Sequence, residues 1–202
     1  MSGWAPPDRY SYSYLLGVYL GDGCLTVRRS GAAAQLVVAC DATYPRLIDE
    51  CWAAMVITSG NPTVSRVRPR GQRCVRLMSA WRGWLSALPQ HGPGRKHQRA
   101  IVLEPWQQAI VDEHPRELLR GLLHSDGCRT VNRFSTRLPS GRVAEYAYVR
   151  WFFSNRSEDI RRLFCSTCDA VGIRWTQSNP RNISVSHRDS VARLDAWVGP
   201  KA

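Results

Sequence analysis

The chain has 202 residues, 44% hydrophobic and 22% charged, which is enough apolar material for one large core or two small ones and excludes a wholly disordered chain. No apolar run approaches the roughly 18 to 20 residues of a membrane span, and Met1 to Pro7 has neither the basic nor the apolar region of a signal peptide, so a cytoplasmic protein is expected. The 28 Lys and Arg against 16 Asp and Glu give a net charge of +12 and a pI near 10.0, which points to a polyanionic partner.

In chain order, Leu15 to Leu20 is apolar nearly all round and reads as a buried helix ending at Asp22, with Gly23 suited to the left-handed residue that stops a helix. Strand-like runs at 25–29 and 35–40 follow. A helix at 45–56 places Leu47, Ile48, Cys51 and Met55 on one face. Two more strands at 63–68 and 72–78 flank the turn residues Pro69-Arg-Gly71, and a short helix at 81–88 closes the segment. The loop Pro89 to Glu104, with His91-Gly-Pro-Gly-Arg-Lys-His97, reads as a linker.

The same order then recurs. Leu15-Leu-Gly-Val-Tyr-Leu-Gly-Asp-Gly-Cys24 is echoed by Leu119-Arg-Gly-Leu-Leu-His-Ser-Asp-Gly-Cys128, and repetition of this kind marks duplicated structural units. Strands at 130–134 and 145–153, a helix at 158–171 carrying Ile160, Leu163, Phe164 and Cys168, strands at 173–177 and 182–186, and a helix at 189–197 complete the second copy. A Gly/Pro/Ser/Arg-rich hairpin tip at 136–143 reads as mobile. The expected organisation is a first repeat over 1–90, a linker over 91–113 and a second repeat over 114–202, each running helix, strand, strand, helix, strand, strand, helix. Seven cysteines, an odd number spread along the chain, argue for reduced, mostly buried thiols rather than a disulfide framework. Trp81, Trp84, Trp151 and Trp197 read as core residues.

Gly17 and Gly21 lie four residues apart, as do Gly121 and Ser125. Two helices with such faces can pack backbone against backbone, and the crossing would bring Asp22 and Asp126 together. Two carboxylates at the negative ends of two helix dipoles repel each other, a conflict that a divalent cation resolves. Mg²⁺ takes a few carboxylate and carbonyl oxygens plus waters and substrate phosphates, and it activates water for in-line attack on a phosphodiester. Asp22 and Asp126, with the backbone carbonyls of Gly21 and Ser125, are therefore the candidate metal ligands.

Leu15 to Gly23 and Leu119 to Gly127 resemble the nine-residue signature of the LAGLIDADG homing endonucleases in their single-chain, two-repeat form, and the repeat pattern spans Tyr10 to Val198. Leu20 and His124 stand where the family often has Asp, and Arg120 where it has Ala. The resemblance implies an α+β fold of two pseudo-symmetric αββαββα repeats whose curved antiparallel sheets form a saddle over the DNA major groove. It implies a monomeric, Mg²⁺-dependent double-strand endonuclease, nucleoid-associated and tied to an intron or other mobile element, with Mn²⁺ able to substitute and Ca²⁺ binding without supporting cleavage. It also implies a basic residue near the scissile phosphates, for which Lys96 is the match and Arg95 a substitute. Gln177 and Arg181 are weaker choices for that role in the second repeat.

The arginines support this reading independently, since a β-ribbon fits the major groove and Arg reads guanine bidentately there. Arg66, Arg68, Arg70, Arg73 and Arg76 decorate one hairpin of the first repeat, and Arg129, Arg133, Arg137, Arg142 and Arg150 the first hairpin of the second. Arg28, Arg174 and Arg181 complete the expected DNA-contacting set. Lys96 and Lys201 are the only lysines. A non-cleaving regulatory DNA-binding protein and a maturase-like RNA binder share the fold and the charge, while the presence of both aspartates favours the enzyme.

Overall fold

A computed structural model describes residues 4–27, 34–199 and 201; Arg28 lies outside the described residues. Helix α1 (Arg9–Asp22) begins where the Asp8 carboxylate accepts the Ser11 amide at 2.7 Å, and every residue from Tyr12 to Leu20 is buried. It leads into strands β1 (Gly23–Val27) and β2 (Ala34–Asp41), helix α2 (Pro45–Ser59), strands β3 (Val64–Val67) and β4 (Cys74–Ala80), and the one-turn helix α3 (Trp84–Ala87). Helix α4 (Pro105–Glu113) then leads to α5 (Pro115–Asp126), and β5 (Gly127–Arg137), β6 (Val143–Ser154), α6 (Glu158–Ala170), β7 (Thr176–Asn179), β8 (Asn182–Val185) and α7 (Arg188–Val198) repeat the order. Each half builds one antiparallel four-stranded sheet, ordered β1-β2-β4-β3 and β5-β6-β8-β7.

The sheets bury one face each. Ala34, Leu36, Val38 and Cys40 on β2, Trp151 and Phe153 on β6, and Ile183 and Val185 on β8 are all buried on the helix side. Alternate residues point the other way, because successive side chains of a strand leave opposite faces. Each sheet thus keeps an open face.

Three sequence expectations change. Residues 105–113, inside the expected linker, form a helix with a reciprocal capping box between Glu104 and Gln107. Gln107 is buried and donates to the Tyr12 hydroxyl at 2.7 Å, so this segment is core rather than tether. The tip expected over 136–143 is reduced to a turn: β5 and β6 pair continuously out to Arg137 opposite Val143, and Gly141 supplies the φ of 80° that closes the turn. Finally, Gly23 and Gly127 are extended (φ −80° and −94°), not left-handed. They are glycines for another reason: a Cβ on Gly127 would lie 2.4 Å from the Leu123 carbonyl oxygen and one on Gly23 2.6 Å from the Tyr19 Cα, so only hydrogen fits where each helix turns sharply into its strand.

The cysteines at 24, 40, 51, 74, 128, 165 and 168 are all free; Cys24 and Cys128 are exposed and Cys74 partly so, while the other four are buried. Trp84 and Trp151 are fully buried, with Trp81 and Trp197 packed against the core from its margin.

Candidate active site

Helices α1 and α5 cross at Gly17 and Gly121. A Cβ on Gly121 would lie 2.2 Å from the Tyr14 carbonyl oxygen, and one on Gly17 2.5 Å from that of Leu118. Both distances are far inside van der Waals contact, so the backbones touch as the small-residue spacing predicts. One turn on, a Cβ on Gly21 would lie 2.4 Å from Ser125 Cβ and 3.1 Å from Asp126 Oδ2. The crossing therefore delivers Asp22 and Asp126 side by side at two helix C-termini.

Both carboxyls respond to this placement. The pKa of Asp22 is pushed up to about 6 by crowding against protein and then by the charge of Asp126, while Lys96 and Lys201 oppose the shift. Asp22 nonetheless remains open to solvent on one side. That of Asp126 is also raised, again mainly by burial, against the hydrogen bond it accepts from Asn155 Nδ2 at 2.6 Å. Among the described residues no three His, Cys, Asp or Glu side chains gather as a metal site. A cation at the pair would thus need carbonyl, water or phosphate oxygens to complete its shell, which is the donor set Mg²⁺ prefers. Two mutually repelling carboxylates fit such an ion.

The two lysines approach from opposite sides. Lys96 is carried by a single 3-10 turn and donates to the α1 carbonyls of Tyr19, Leu20 and Gly21, the last two at 3.1 Å, with its ammonium 4.8 Å from the Tyr19 ring centre. Burial pulls its pKa down to about 8 in spite of Asp126 and Asp22. Lys201, beyond α7, donates to the Gly127 carbonyl at 2.6 Å, and burial lowers its pKa too, opposed first by Asp22. Two clefts result. One, of about 490 Å³, holds Lys96 with Asp126 and Asn155; the other, of about 260 Å³, holds Lys201 with Asp22 and Asp41. Each cleft combines the aspartate of one half with the lysine that lies beyond the last helix of the other, Lys96 after α3 and Lys201 after α7.

No protein-family model and no curated protein matches the sequence. Solved structures do. The LAGLIDADG meganuclease I-AabMI bound to uncleaved DNA superposes with a TM-score of 0.57 at 11% identity over 94% of this chain and 82% of its own. I-LtrWI bound to target DNA gives 0.59 at 9% identity over 94% and 84%, and I-DmoI in complex with DNA and Mn gives 0.57 at 11% over 95% and 98%. This is the LAGLIDADG homing-endonuclease fold.

Within the LAGLIDADG fold, strand parity sorts the expected arginines. Arg76 on β4 and Arg150 on β6 stand on the open faces, since their neighbours Leu77 and Trp151 are buried on the helix side. Arg68, Arg70 and Arg73 are exposed around the β3–β4 turn, as are Arg174 and Arg181 beside β7 and β8. Arg66 and Arg129 are turned to the helices instead. Arg66 pairs with Asp49 of α2 at 2.5 Å and lies over the Trp52 ring, and Arg129 holds Asp195 of α7 through two 2.8 Å bonds. Their parity with buried residues decides this, and it was available in the sequence. Arg133 shares that parity but lies on the two-stranded stretch of β5 and β6, outside the part of β6 that pairs with β8, and is exposed. Gln177 likewise pairs opposite buried Ile183, away from the clefts.

Sequence reading missed two residues of the site. Asn155 follows β6, orients Asp126 and accepts the Ser157 amide at 2.7 Å; nothing in its local sequence signals this. Lys201 carried a signal, because it follows Lys96 at almost the spacing that separates the two motifs and is the only other lysine.

Proposed function

We propose that the protein is a site-specific double-strand DNA endonuclease, dependent on a divalent metal and active as a monomer. The pair of clefts carries this reading: each joins one motif aspartate to one of the two lysines, so one chain presents two phosphate-cleaving sites to two antiparallel strands. DNA-bound neighbours of the same fold, one of them also holding Mn, support duplex DNA as the substrate.

Asp22 and Asp126, with the carbonyls of Gly21 and Ser125, would hold Mg²⁺ or Mn²⁺, which when bound supplies Lewis-acid stabilisation and lowers the pKa of an attacking water. Asn155 holds one oxygen of the Asp126 carboxylate by a hydrogen bond. Lys96 and Lys201 offset the negative charge that builds on each phosphate. The open sheet faces bind the duplex on either side, Arg76 and Arg150 toward base edges and Arg68, Arg70, Arg73, Arg174 and Arg181 at their margins. Arg66 and Arg129 are already committed to carboxylates and take no base-reading role.

The test is selection from a randomised duplex library, sequencing bound and cleaved molecules in Mg²⁺, Ca²⁺ and EDTA. Binding to one site in all three, with cleavage in Mg²⁺ alone, is expected, and affinity should fall by ~10³ to 10⁵ between about 50 and 200 mM salt for ~6 to 10 phosphate contacts. Asp22→Asn and Asp126→Asn should bind and not cleave. A wild type that binds one site without cutting it in Mg²⁺ or Mn²⁺ is a regulatory binding protein, and the endonuclease reading fails.

A further inference from the structure

The β5–β6 ribbon carries a feature that phosphate binding does not require. Phe134 and Tyr146 pair across it, are 46% and 44% exposed, and stack with ring centres 5.2 Å apart and planes 20° from parallel. Tyr148 meets Phe134 edge-on at 5.8 Å, and the Arg150 guanidinium lies 4.8 Å from the Tyr148 ring centre, so the aromatic row runs back along β6. All four share strand parity with Phe152, opposite to the buried Trp151 and Phe153. They therefore lie on the open face.

Resting on the DNA reading above, we infer that Phe134 and Tyr146 recognise the C5-methyl group of a pyrimidine, thymine in unmodified DNA, at the outer end of the half-site bound by the second repeat. A duplex offers an inserted ribbon phosphates, sugars and base edges, and in the major groove the thymine methyl is the apolar group on those edges. Phe134 has no hydrogen-bonding group with which to read anything else. Exposed Arg133, Arg137 and Arg142 on the same ribbon supply charge complementary to the flanking phosphates. Along β5 from Gly127 to Phe134, a rise of about 3.3 Å per residue sets the contact about 23 Å, or about seven base pairs, outboard of the cleavage site.

The experiment uses the target selected from the library. Each thymine in the second half-site is replaced in turn by uracil, which removes the methyl and leaves every hydrogen-bonding edge intact, and affinity is measured for the wild type and Phe134→Ala. At one or two outer positions uracil should weaken wild-type binding about four-fold, the value of one buried methyl group, and should cost the variant nothing. Cytosine there should be rejected, and 5-methylcytosine should recover part of the loss. Equal uracil penalties in both proteins, or a selected site whose outer positions are indifferent to the methyl, overturn the inference while leaving the DNA reading intact. Failure to select any site sinks the DNA reading and this inference with it. If Phe134→Ala instead converts a self-associated wild type to monomer in sedimentation, with base discrimination unchanged, the aromatic pair is a contact between copies of the chain and the inference is wrong.

Discussion

Replacing Asp22 by Asn should stabilise the metal-free protein while destroying its cleavage. The folded state raises the Asp22 pKa from 3.8 to about 6, so folding prefers the protonated acid and ionisation at neutral pH works against it. Counted in full at about 1.36 kcal/mol per pH unit, the opposition is roughly 3 kcal/mol; because solvent reaches this carboxylate, screening cuts it to ~1 kcal/mol. Asn is neutral throughout and escapes the penalty. For a chain of this size that corresponds to a melting temperature about 2 to 4 °C higher. The sign fixes the pH window: the unfolded chain ionises above 3.8, so the gap between variant and wild type should open from about pH 4 and be complete above about pH 6. Calorimetry of both proteins in EDTA from pH 4 to 8 measures it, and Mg²⁺ should then raise the wild-type melting point more than that of the variant, since binding only the folded state stabilises it. An Asn variant that melts at or below wild type at pH 7.5 in EDTA would refute the paired-carboxylate reasoning, as would a gap that does not change with pH.

Lys96→Met and Lys201→Met should each slow cleavage of a different strand by ~10² to 10³, the usual size of such electrostatic contributions, so nicked duplex should accumulate on opposite strands; loss of both strands together in either variant would contradict the crossed pairing. Gly121→Ala drives a methyl to 2.2 Å from the Tyr14 carbonyl oxygen and should lower stability by about 1 to 3 kcal/mol or more, read as a melting shift of several degrees, because the helix backbones must part. His124 is buried, with Nε2 3.1 Å from the Val198 carbonyl and Nδ1 3.0 Å from the Tyr14 hydroxyl; the carbonyl can only accept, so Nε2 carries the proton. Its pKa falls to about 4, chiefly from burial, so the stability it contributes is present above about pH 6.5 and lost as pH drops toward 4, by an amount on the order of 3 kcal/mol. Chemical denaturation of wild type and His124→Gln across that range should show the loss in the wild type and a flatter profile in the variant.

The chain's own order of residues determined a great deal. A doubled apolar helix with small residues four apart, followed each time by Asp-Gly, specifies both the duplication and the close helix crossing, because the contact is set by residues on a single helix face and needs no knowledge of what lies elsewhere. Strand parity is equally local: buried Trp151 and Phe153 commit Arg150 to the open face and Arg129 to the helix side. What the tertiary structure alone decided involves groups far apart in sequence. Asn155 reaches Asp126 only because β6 ends beside the α5 terminus, and nothing near Asn155 hints at it. Helix α4 is held by Gln107, Gln90 and Tyr12, whose hydrogen bonds join three separate segments. The placement of Lys96 with Asp126 and of Lys201 with Asp22 joins residues far apart in sequence and exists only once the two halves have packed together. A linear sequence can announce that it is written twice, but the direction in which each copy leans over the other is fixed only when the two glycine faces meet.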